Sequence, residues 1–262
     1  MKFEELAEKF MEWAEANKSP KTISCYKSSV KKLMPLYWGK ALKDIKRLDT
    51  KPKGLTILDM RVLKRMLFLA KDWDFIERVP PIHVPPEKQR TRFLSAEEMD
   101  DLIHECYDSD LLMLLRVAMG TGLRKSNLLS LKWSQIDFTN HLIKVVQKGA
   151  RELWVPFNPE LDVHLLKYKA TLNAKPENLL FPLGKNYGFR LQRLCQRLGI
   201  KDVTFHTLRH TYASWLAMNG ADLITISQLL GHRNIQTTAR YTHISTEAKR
   251  EAIRGLPSVL TQ

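Results

Sequence analysis

Residues 79–92 have the sequence VPPIHVPPEKQRTR, and this stretch indicates where the chain divides into domains. Its four prolines lack backbone donors and push the residues before them into extended geometry, which predicts a semi-rigid linker. On this interpretation residues 85–92 join two domains, residues 1–84 and residues 93–262. The alternative is a long surface loop inside one domain. The chain has 262 residues, 44% of them apolar, which suits either organisation.

The sequence before the linker predicts a helical domain. Phe3, Leu6 and Phe10 recur at helical spacing. A second amphipathic segment covers residues 22–36, and a third helical run covers residues 57–70.

The charge of the chain is strongly positive and unevenly placed. The formal net charge is +14, which argues for a polyanionic partner, most simply nucleic acid. Between Lys18 and Lys71, fifteen lysines and arginines stand against three acidic residues. This local imbalance favours a surface that follows DNA phosphates, and a solvated basic face without a partner is the alternative.

Cysteine usage and the first residues predict a reducing compartment. The three cysteines, Cys25, Cys106 and Cys195, show no metal-ligand spacing, which disfavours a disulfide framework or a zinc knuckle. The first ten residues are charged and lack the apolar stretch of a signal peptide. The longest apolar run, residues 111–115, is too short to cross a bilayer. We therefore expect a soluble, cytoplasmic protein.

The sequence after the linker predicts a domain that is mainly α with a small antiparallel β-sheet. Ser95 and Glu98 form a capping-box pattern at the start of a helix that reaches about Cys106. A second helix runs to Met119 and ends at residues 120–122. Two short β-prone runs with a turn between them predict a hairpin, at residues 142–146, 148–150 and 153–157. Further helices are predicted at about 160–171, 187–198, 207–219, 222–230 and 246–255.

Four short motifs in this second half carry residues that can do chemistry. They are TGLR at 121–124, Lys148 in the hairpin turn, HTLRH at 206–210, and LGH at 230–232 followed nine residues later by Tyr241. Each motif alone is more often a surface charge, a helix cap or a packing residue. Together they form a set that suits phosphoryl transfer.

Phosphoryl transfer needs donors for an anion, a nucleophile and a proton source. Two guanidiniums, here Arg124 and Arg209, can clamp the non-bridging oxygens of a phosphodiester bidentately. The phenol of Tyr241 can act as nucleophile, although its ordinary pKa of about 10 requires nearby cations or a base. A lysine or histidine within reach can protonate the leaving sugar hydroxyl. Since no acidic cluster suggests a Mg²⁺ site, we expect this chemistry to need neither a metal nor another cofactor.

These motifs, in this order, resemble the signature of the tyrosine recombinases, also called the phage-integrase family. The resemblance spans roughly residues 92–256 and extends more loosely to the N-terminal half. Where the family often has an acidic residue three positions after its first arginine, this chain has Asn127. On the hairpin, only the spacing distinguishes the matching lysine from Lys144 and Arg151. The family's catalytic positions match Arg124, Lys148, His206, Arg209, His232 and Tyr241.

The resemblance implies a site-specific recombinase that forms a covalent intermediate with DNA. Tyr241 would attack the scissile phosphate, form a 3′-phosphotyrosine bond and release a 5′-hydroxyl, while the two arginines hold the phosphate. Lys148 would protonate the leaving oxygen, His206 would act as the acid/base partner of the tyrosine, and His232 would hydrogen-bond the phosphate. Religation would need no ATP, because the covalent bond conserves the energy of the phosphodiester.

The resemblance also implies an assembly on double-stranded DNA. Residues 1–84 would be a core-binding domain that closes with the catalytic domain as a C-shaped clamp. The protein would act as a homotetramer, with a dimer at each site. The predicted helix at 246–255 would dock on a neighbouring subunit or pack on its own domain. With no arm-type domain before residue 1, a simple recombinase acting on short inverted repeats is favoured.

Three other interpretations remain open at this point. A type IB topoisomerase would use the same tyrosine chemistry as a monomer. A non-catalytic DNA-binding regulator could retain the fold. His206 and His210 also have a spacing known from metal ligands, but neither an adjacent glutamate nor a third ligand is evident, so metal binding is disfavoured.

Overall fold

The structure is a computed structural model, and it describes residues 1–45, 52–86, 92–147, 151–182, 184–232 and 237–238. The chain divides into two compact units, Met1–Gln89 and Arg90–Gln262. This division falls within the proline-containing stretch at 79–92. In the ranges described, no helix is long and apolar enough to span a membrane.

The N-terminal unit is helical in the part that the structure describes. Its helices are α1 (Phe3–Asn17), α2 (Pro20–Tyr37) and α3 (Ile57–Asp72), close to the three predicted segments. Their apolar faces pack together because the buried positions recur at helical spacing. The largest fully buried side chains are Phe3, Leu6, Phe10, Leu33, Met60, Leu63, Met66 and Leu67.

Helices also dominate the second unit, and most of them lie where the sequence predicts them. Ser95 and Glu98 form the predicted capping box, in which each side chain accepts a bond from the other residue's backbone N–H. The short helix after Arg124 was not predicted. The helices are α4 (Ala96–His104), α5 (Ser109–Thr121), α6 (Lys125–Leu129), α7 (Glu160–Leu172), α8 (Tyr187–Arg197), α9 (Phe205–Met218) and α10 (Leu223–Leu230).

A small antiparallel sheet completes the second unit and confirms the predicted fold class. Its strands are β1 (Ile136–Asp137), β2 (Leu142–Gln147) and β3 (Arg151–Pro156), hydrogen-bonded in that order. In the hairpin Ile143 pairs with Val155, and both side chains are fully buried. The turn at 148–150 lies outside the described residues.

Helix α5 occupies the middle of this unit and packs against α4, α7, α8 and α9. Helix α9 packs in turn against α10. The C-terminal ends of α5 and α10 both approach Arg209 of α9, and two of the four sequence motifs are located at those ends.

One close contact fixes how α5 meets α9. Gly122 ends α5 in the left-handed conformation, with φ of 61°. A Cβ atom added to Gly122 would overlap the ring of Tyr212, a residue of α9. Glycine is therefore required here both for its φ angle and for the space that it leaves.

Candidate active site

Arg209 lies at the centre of the candidate site. It is located on α9 and is 6% exposed. Its Nη1 donates to the carbonyl of Gly122 at 2.7 Å, and its Nη2 donates to the carbonyl of Leu230 at 2.7 Å. A buried guanidinium requires such partners, because an unsatisfied charge in the interior is costly. Arg209 thus joins α9 to the ends of α5 and α10.

Arg124 approaches the same place from the other side of the α5 terminus. It follows the left-handed turn at Gly122 and adopts an extended conformation before α6. Its Nη2 donates to the carbonyl of Gly231 at 3.3 Å. Arg124 is half-buried, and this burial lowers the pKa of its guanidinium. Arginine nevertheless remains protonated in proteins at neutral pH.

The end of α10 presents the carbonyls that both arginines bind. Gly231 terminates the helix in the left-handed conformation, with φ of 60°. The N–H of His232 donates to the carbonyl of Ser227 at 2.9 Å and closes the turn. The imidazole Nδ1 of His232 lies 2.8 Å from the hydroxyl of Thr238, which is fully buried. The LGH motif therefore places two carbonyls against the two guanidiniums, and His232 follows directly in the same turn.

His206 and His210 lie on α9 near Arg209. They share a helical face because they are four residues apart, and their ring centroids lie 4.3 Å apart in an edge-to-face arrangement. His206 is exposed, whereas His210 is 6% exposed. Across the described ranges, no group of three or more His, Cys, Asp or Glu side chains could hold a metal ion.

Two of the predicted catalytic residues, Lys148 and Tyr241, lie outside the described residues, as does the predicted helix at 246–255. The strands that flank Lys148 are described. On them Lys144 forms an ion pair with Glu152 at 2.7 Å and lies 5.4 Å from the ring centroid of Trp154.

Residues that the sequence motifs do not single out also support the site. The ammonium of Lys125 lies 5.0 Å from the ring centroid of Phe205, so α6 contacts the start of α9. The ring of Tyr212 packs on Gly122, whose carbonyl binds Arg209. Asn127, which the sequence itself marks as a departure from the family pattern, is half-buried on α6. In the sequence, the glycines of TGLR and LGH indicate where α5 and α10 end. No sequence signal indicates that the carbonyls at these helix ends bind Arg124 and Arg209.

The arrangement is chemically suited to bind an anion. A guanidinium carries five N–H donors in a planar fork. Donation to one or two backbone carbonyls is therefore compatible with donation to a bound oxyanion as well. Arg124 and Arg209 bring two positive charges to neighbouring carbonyls, and His232 adds an imidazole. Such preorganised donors stabilise charge that develops on a phosphoryl group.

The N-terminal unit presents a basic surface. Each described lysine or arginine between Lys18 and Lys71 is exposed. Two of these cations lie against Trp13: Lys18 at 4.8 Å and Arg65 at 5.1 Å from its ring centroid. Exposed cations on one helical unit are typical of a surface that contacts phosphates.

Comparison with known proteins agrees with these motifs. Residues 92–248, more than half of the chain, match the model described as the phage integrase family. The chain is 29% identical to the integrase of Salmonella phage P22 over 227 residues, which cover 75% of this chain and 56% of that protein. It is 34% identical to the tyrosine recombinase XerC of Pediococcus pentosaceus over 215 residues, which cover 71% of this chain and 70% of that protein.

A solved structure supports the fold. A lambda integrase tetramer bound to a Holliday junction matches with a TM-score of 0.75 at 18% identity, over 92% of this chain and 77% of that chain. The matched region spans less than two thirds of the P22 integrase, 56% of its length. The family match, the relatives and the fold together confirm the resemblance that the motifs predict. The chain belongs to the phage integrase family, the tyrosine recombinases.

Proposed function

We propose that this protein is a site-specific DNA recombinase that cleaves and rejoins DNA strands through a 3′-phosphotyrosine bond to Tyr241. The observation that carries the proposal is the convergence of Arg124 and Arg209 on the ends of α5 and α10, beside His232. Two guanidiniums and an imidazole form a donor set that matches a phosphodiester. The names of the relatives, an integrase and a tyrosine recombinase, support the same activity.

The two arginines hold the scissile phosphate in this proposal. Arg209 and Arg124 donate to its non-bridging oxygens and stabilise the additional negative charge of the five-coordinate transition state. The contact between Nδ1 of His232 and Thr238 orients the imidazole, and we assign its Nε2 to the phosphate.

The remaining assignments cover the nucleophile and the proton transfers. The phenolic oxygen of Tyr241 bonds to phosphorus, and the bond from phosphorus to the 5′-oxygen breaks. Lys148 gives a proton to that leaving oxygen, and His206 accepts the proton of the tyrosine. Religation reverses these steps with the 5′-hydroxyl of another strand. One phosphodiester is exchanged for another at each step, so no nucleotide hydrolysis is required.

We assign DNA binding to both parts of the chain. Residues 1–84 form the core-binding domain, residues 85–92 the linker and residues 93–262 the catalytic domain. The exposed lysines and arginines of the first part contact phosphates, so the affinity for DNA falls steeply as salt is added. We propose a homotetramer on DNA, a dimer at each site, located in the cytoplasm. The tetrameric lambda integrase, which has the same fold, supports this assembly.

Covalent trapping tests the proposal. The full chain is mixed with labelled duplexes that carry a nick near candidate sites from its own gene neighbourhood, in the presence of EDTA, and run on a denaturing gel. A nick lets the cleaved fragment diffuse away and traps the intermediate. We expect a slowly migrating band that requires Tyr241 and no metal, and that Tyr241→Phe does not form.

The outcomes separate the possible functions. If the wild-type chain binds the duplex and forms no covalent band, the result counts against the proposal, and a DNA-binding regulator or the need for a missing activator becomes the better account. If the band forms but only one protein molecule binds each site, the enzyme is a nicking and closing topoisomerase. A band together with paired subunits at each site supports recombination.

A further inference from the structure

The segment of residues 92–95, which follows the linker, is bound directly by the helix that carries Arg209. The N–H of Leu94 donates to Oγ1 of Thr211 at 2.9 Å, and the carbonyl of Leu94 accepts from Nε1 of Trp215 at 3.1 Å. Leu94 is fully buried and Thr211 is 1% exposed. Both backbone polar groups of one buried residue are therefore bound by side chains of α9. Such bonds are costly to break, because the buried groups would lose their partners.

The rest of the 92–95 segment is held just as firmly. The guanidinium of Arg92 forms a bidentate ion pair with Glu98, in which Nη1 lies 2.9 Å from Oε2 and Nη2 lies 2.5 Å from Oε1. Glu98 also accepts from the N–H of Ser95 at 3.0 Å as part of the capping box of α4. These contacts leave the segment little freedom to move independently of α4 and α9.

The two sets of contacts lie on opposite sides of α9. Thr211 follows Arg209 by two residues, which is about 200° around a helix. Trp215 lies four residues after Thr211 and shares its face. On one side α9 binds the 92–95 segment, and on the other side Arg209 binds the carbonyls of Gly122 and Leu230. A displacement of Leu94 would therefore move the helix that orients Arg209 and His206.

We infer that Thr211 and Trp215 are positioning residues, which make the orientation of Arg209 depend on the 92–95 segment. This inference rests on the proposed function. The chain reaches Leu94 directly from the proposed linker. Binding of the N-terminal unit to DNA therefore changes the force that the linker exerts on the 92–95 segment. Cleavage is thereby linked to full engagement of DNA. Geometry of this kind matters because a misplacement of about 1 Å can reduce a rate on the order of a hundredfold.

The first test removes the hydrogen-bond donor of Trp215 and keeps an aromatic side chain at that position. In the full chain, Trp215→Phe removes the Nε1–H that binds Leu94. Trp133→Phe is the matched control: Trp133 is buried in the same unit, and no described group accepts a hydrogen bond from its Nε1. We expect Trp215→Phe to slow covalent-complex formation on the nicked duplex about tenfold while changing the DNA dissociation constant less than about twofold. The control should change neither quantity.

The second test asks whether the contact transmits a signal from the linker. A short Gly-Ser insertion at residues 87–91 relaxes the connection between the units. We expect the insertion to slow cleavage by the wild-type chain about tenfold and to add almost nothing to the loss caused by Trp215→Phe. If the two losses multiply, the linker and Trp215 act independently and the inference is wrong.

A third measurement does not depend on cleavage. Hydrogen exchange of the peptide that covers residues 205–210 reports on the start of α9. In the DNA-free proteins we expect Trp215→Phe to accelerate this exchange about tenfold relative to Trp133→Phe. If the wild type forms no covalent band, the proposed function fails while the exchange result still decides whether the contact orders α9. Unchanged exchange in Trp215→Phe would overturn the inference.

Discussion

Arg124 and Arg209 converge on neighbouring carbonyls but are held in different ways. Arg209 lies within a helix, is nearly fully buried and makes two bonds of 2.7 Å. Arg124 follows a left-handed glycine, is half-buried and makes a bond of 3.3 Å to Gly231. The fold therefore fixes the position of Arg209 through several elements at once. Arg124 lies between the turn at Gly122 and a five-residue helix.

In the proposed mechanism, this difference assigns a separate task to each arginine in binding the phosphate. Arg209 is part of the structure that holds α5, α9 and α10 together, and it offers an oxyanion donors whose direction is already set. Arg124 is more exposed, and in the proposed mechanism it adjusts to the phosphate when DNA binds. Preorganised donors contribute most to transition-state stabilisation, because they need no reorganisation during the reaction.

The largest expected effect concerns catalysis by lysine variants. Lysine keeps the charge but loses the planar fork, so it cannot bind two carbonyls and a phosphate together. We expect Arg209→Lys to slow covalent-complex formation on the order of 100- to 1000-fold, equivalent to about 3–4 kcal/mol. Arg124→Lys should cost only about tenfold, because this position is only half-buried and a lysine ammonium there can still approach the phosphate.

Single-turnover trapping with saturating protein measures both variants on the same nicked duplex. Arg124→Ala and Arg209→Ala serve as controls for complete loss of the donor. Equal rates for the two lysine variants would show that the difference in burial has no catalytic consequence.

The second prediction concerns the stability of the fold. Arg209→Lys leaves at least one of the buried carbonyls of Gly122 and Leu230 without its donor. Since each unsatisfied buried group costs about 1–3 kcal/mol, we expect the free energy of unfolding to fall by about 3 kcal/mol. Arg124→Lys should lower it by less than about 1 kcal/mol, since its carbonyl partner has a weaker bond to lose. Urea denaturation of the full chain measures both, and similar losses would contradict the comparison.

The turn that separates the two arginines gives a third prediction. Gly122→Ala adds the cost of a left-handed alanine, about 1–2 kcal/mol, to the overlap with Tyr212. We expect a total loss of about 2–3 kcal/mol in the free energy of unfolding and a slower cleavage step, because the carbonyl that anchors Arg209 shifts. Gly199→Ala is the matched control, since Gly199 has φ of +71° and nothing within 4 Å of an added Cβ. If both variants lose the same amount, the contact with Tyr212 is unimportant.

Much of the fold follows from local sequence signals. The capping box at Ser95 and Glu98, the hairpin strands and most helices were predictable because their signals lie within a few residues. Helix α6 was missed because five residues are too few to show a helical period, and β1 has only two residues. Such short elements form because their neighbours hold them in place.

The candidate site was predictable as a set of side chains but not as a set of contacts. The order of the motifs, through the resemblance to a family, predicted roles for Arg124, Arg209 and His232. Their partners are backbone carbonyls and hydroxyls more than a hundred residues away in some cases, such as Gly231 for Arg124. Every residue has a backbone carbonyl, so the residue type does not reveal which carbonyls bind a side chain. The hydrogen bond from the backbone N–H of Leu94 to Thr211 was not predictable, because every residue except proline has such an N–H.

The smallest expected effect tests the third member of the site. Thr238 is fully buried, and its hydroxyl lies 2.8 Å from Nδ1 of His232. Thr238→Val keeps the shape but removes this partner, so the imidazole loses orientation while both arginines keep their contacts. We expect cleavage to slow about fivefold, or about 1 kcal/mol, with the affinity for DNA unchanged. A loss as large as that of Arg209→Lys would mean that the His232 turn, rather than Arg209, sets the geometry of the site, because the carbonyls of Leu230 and Gly231 belong to the same turn.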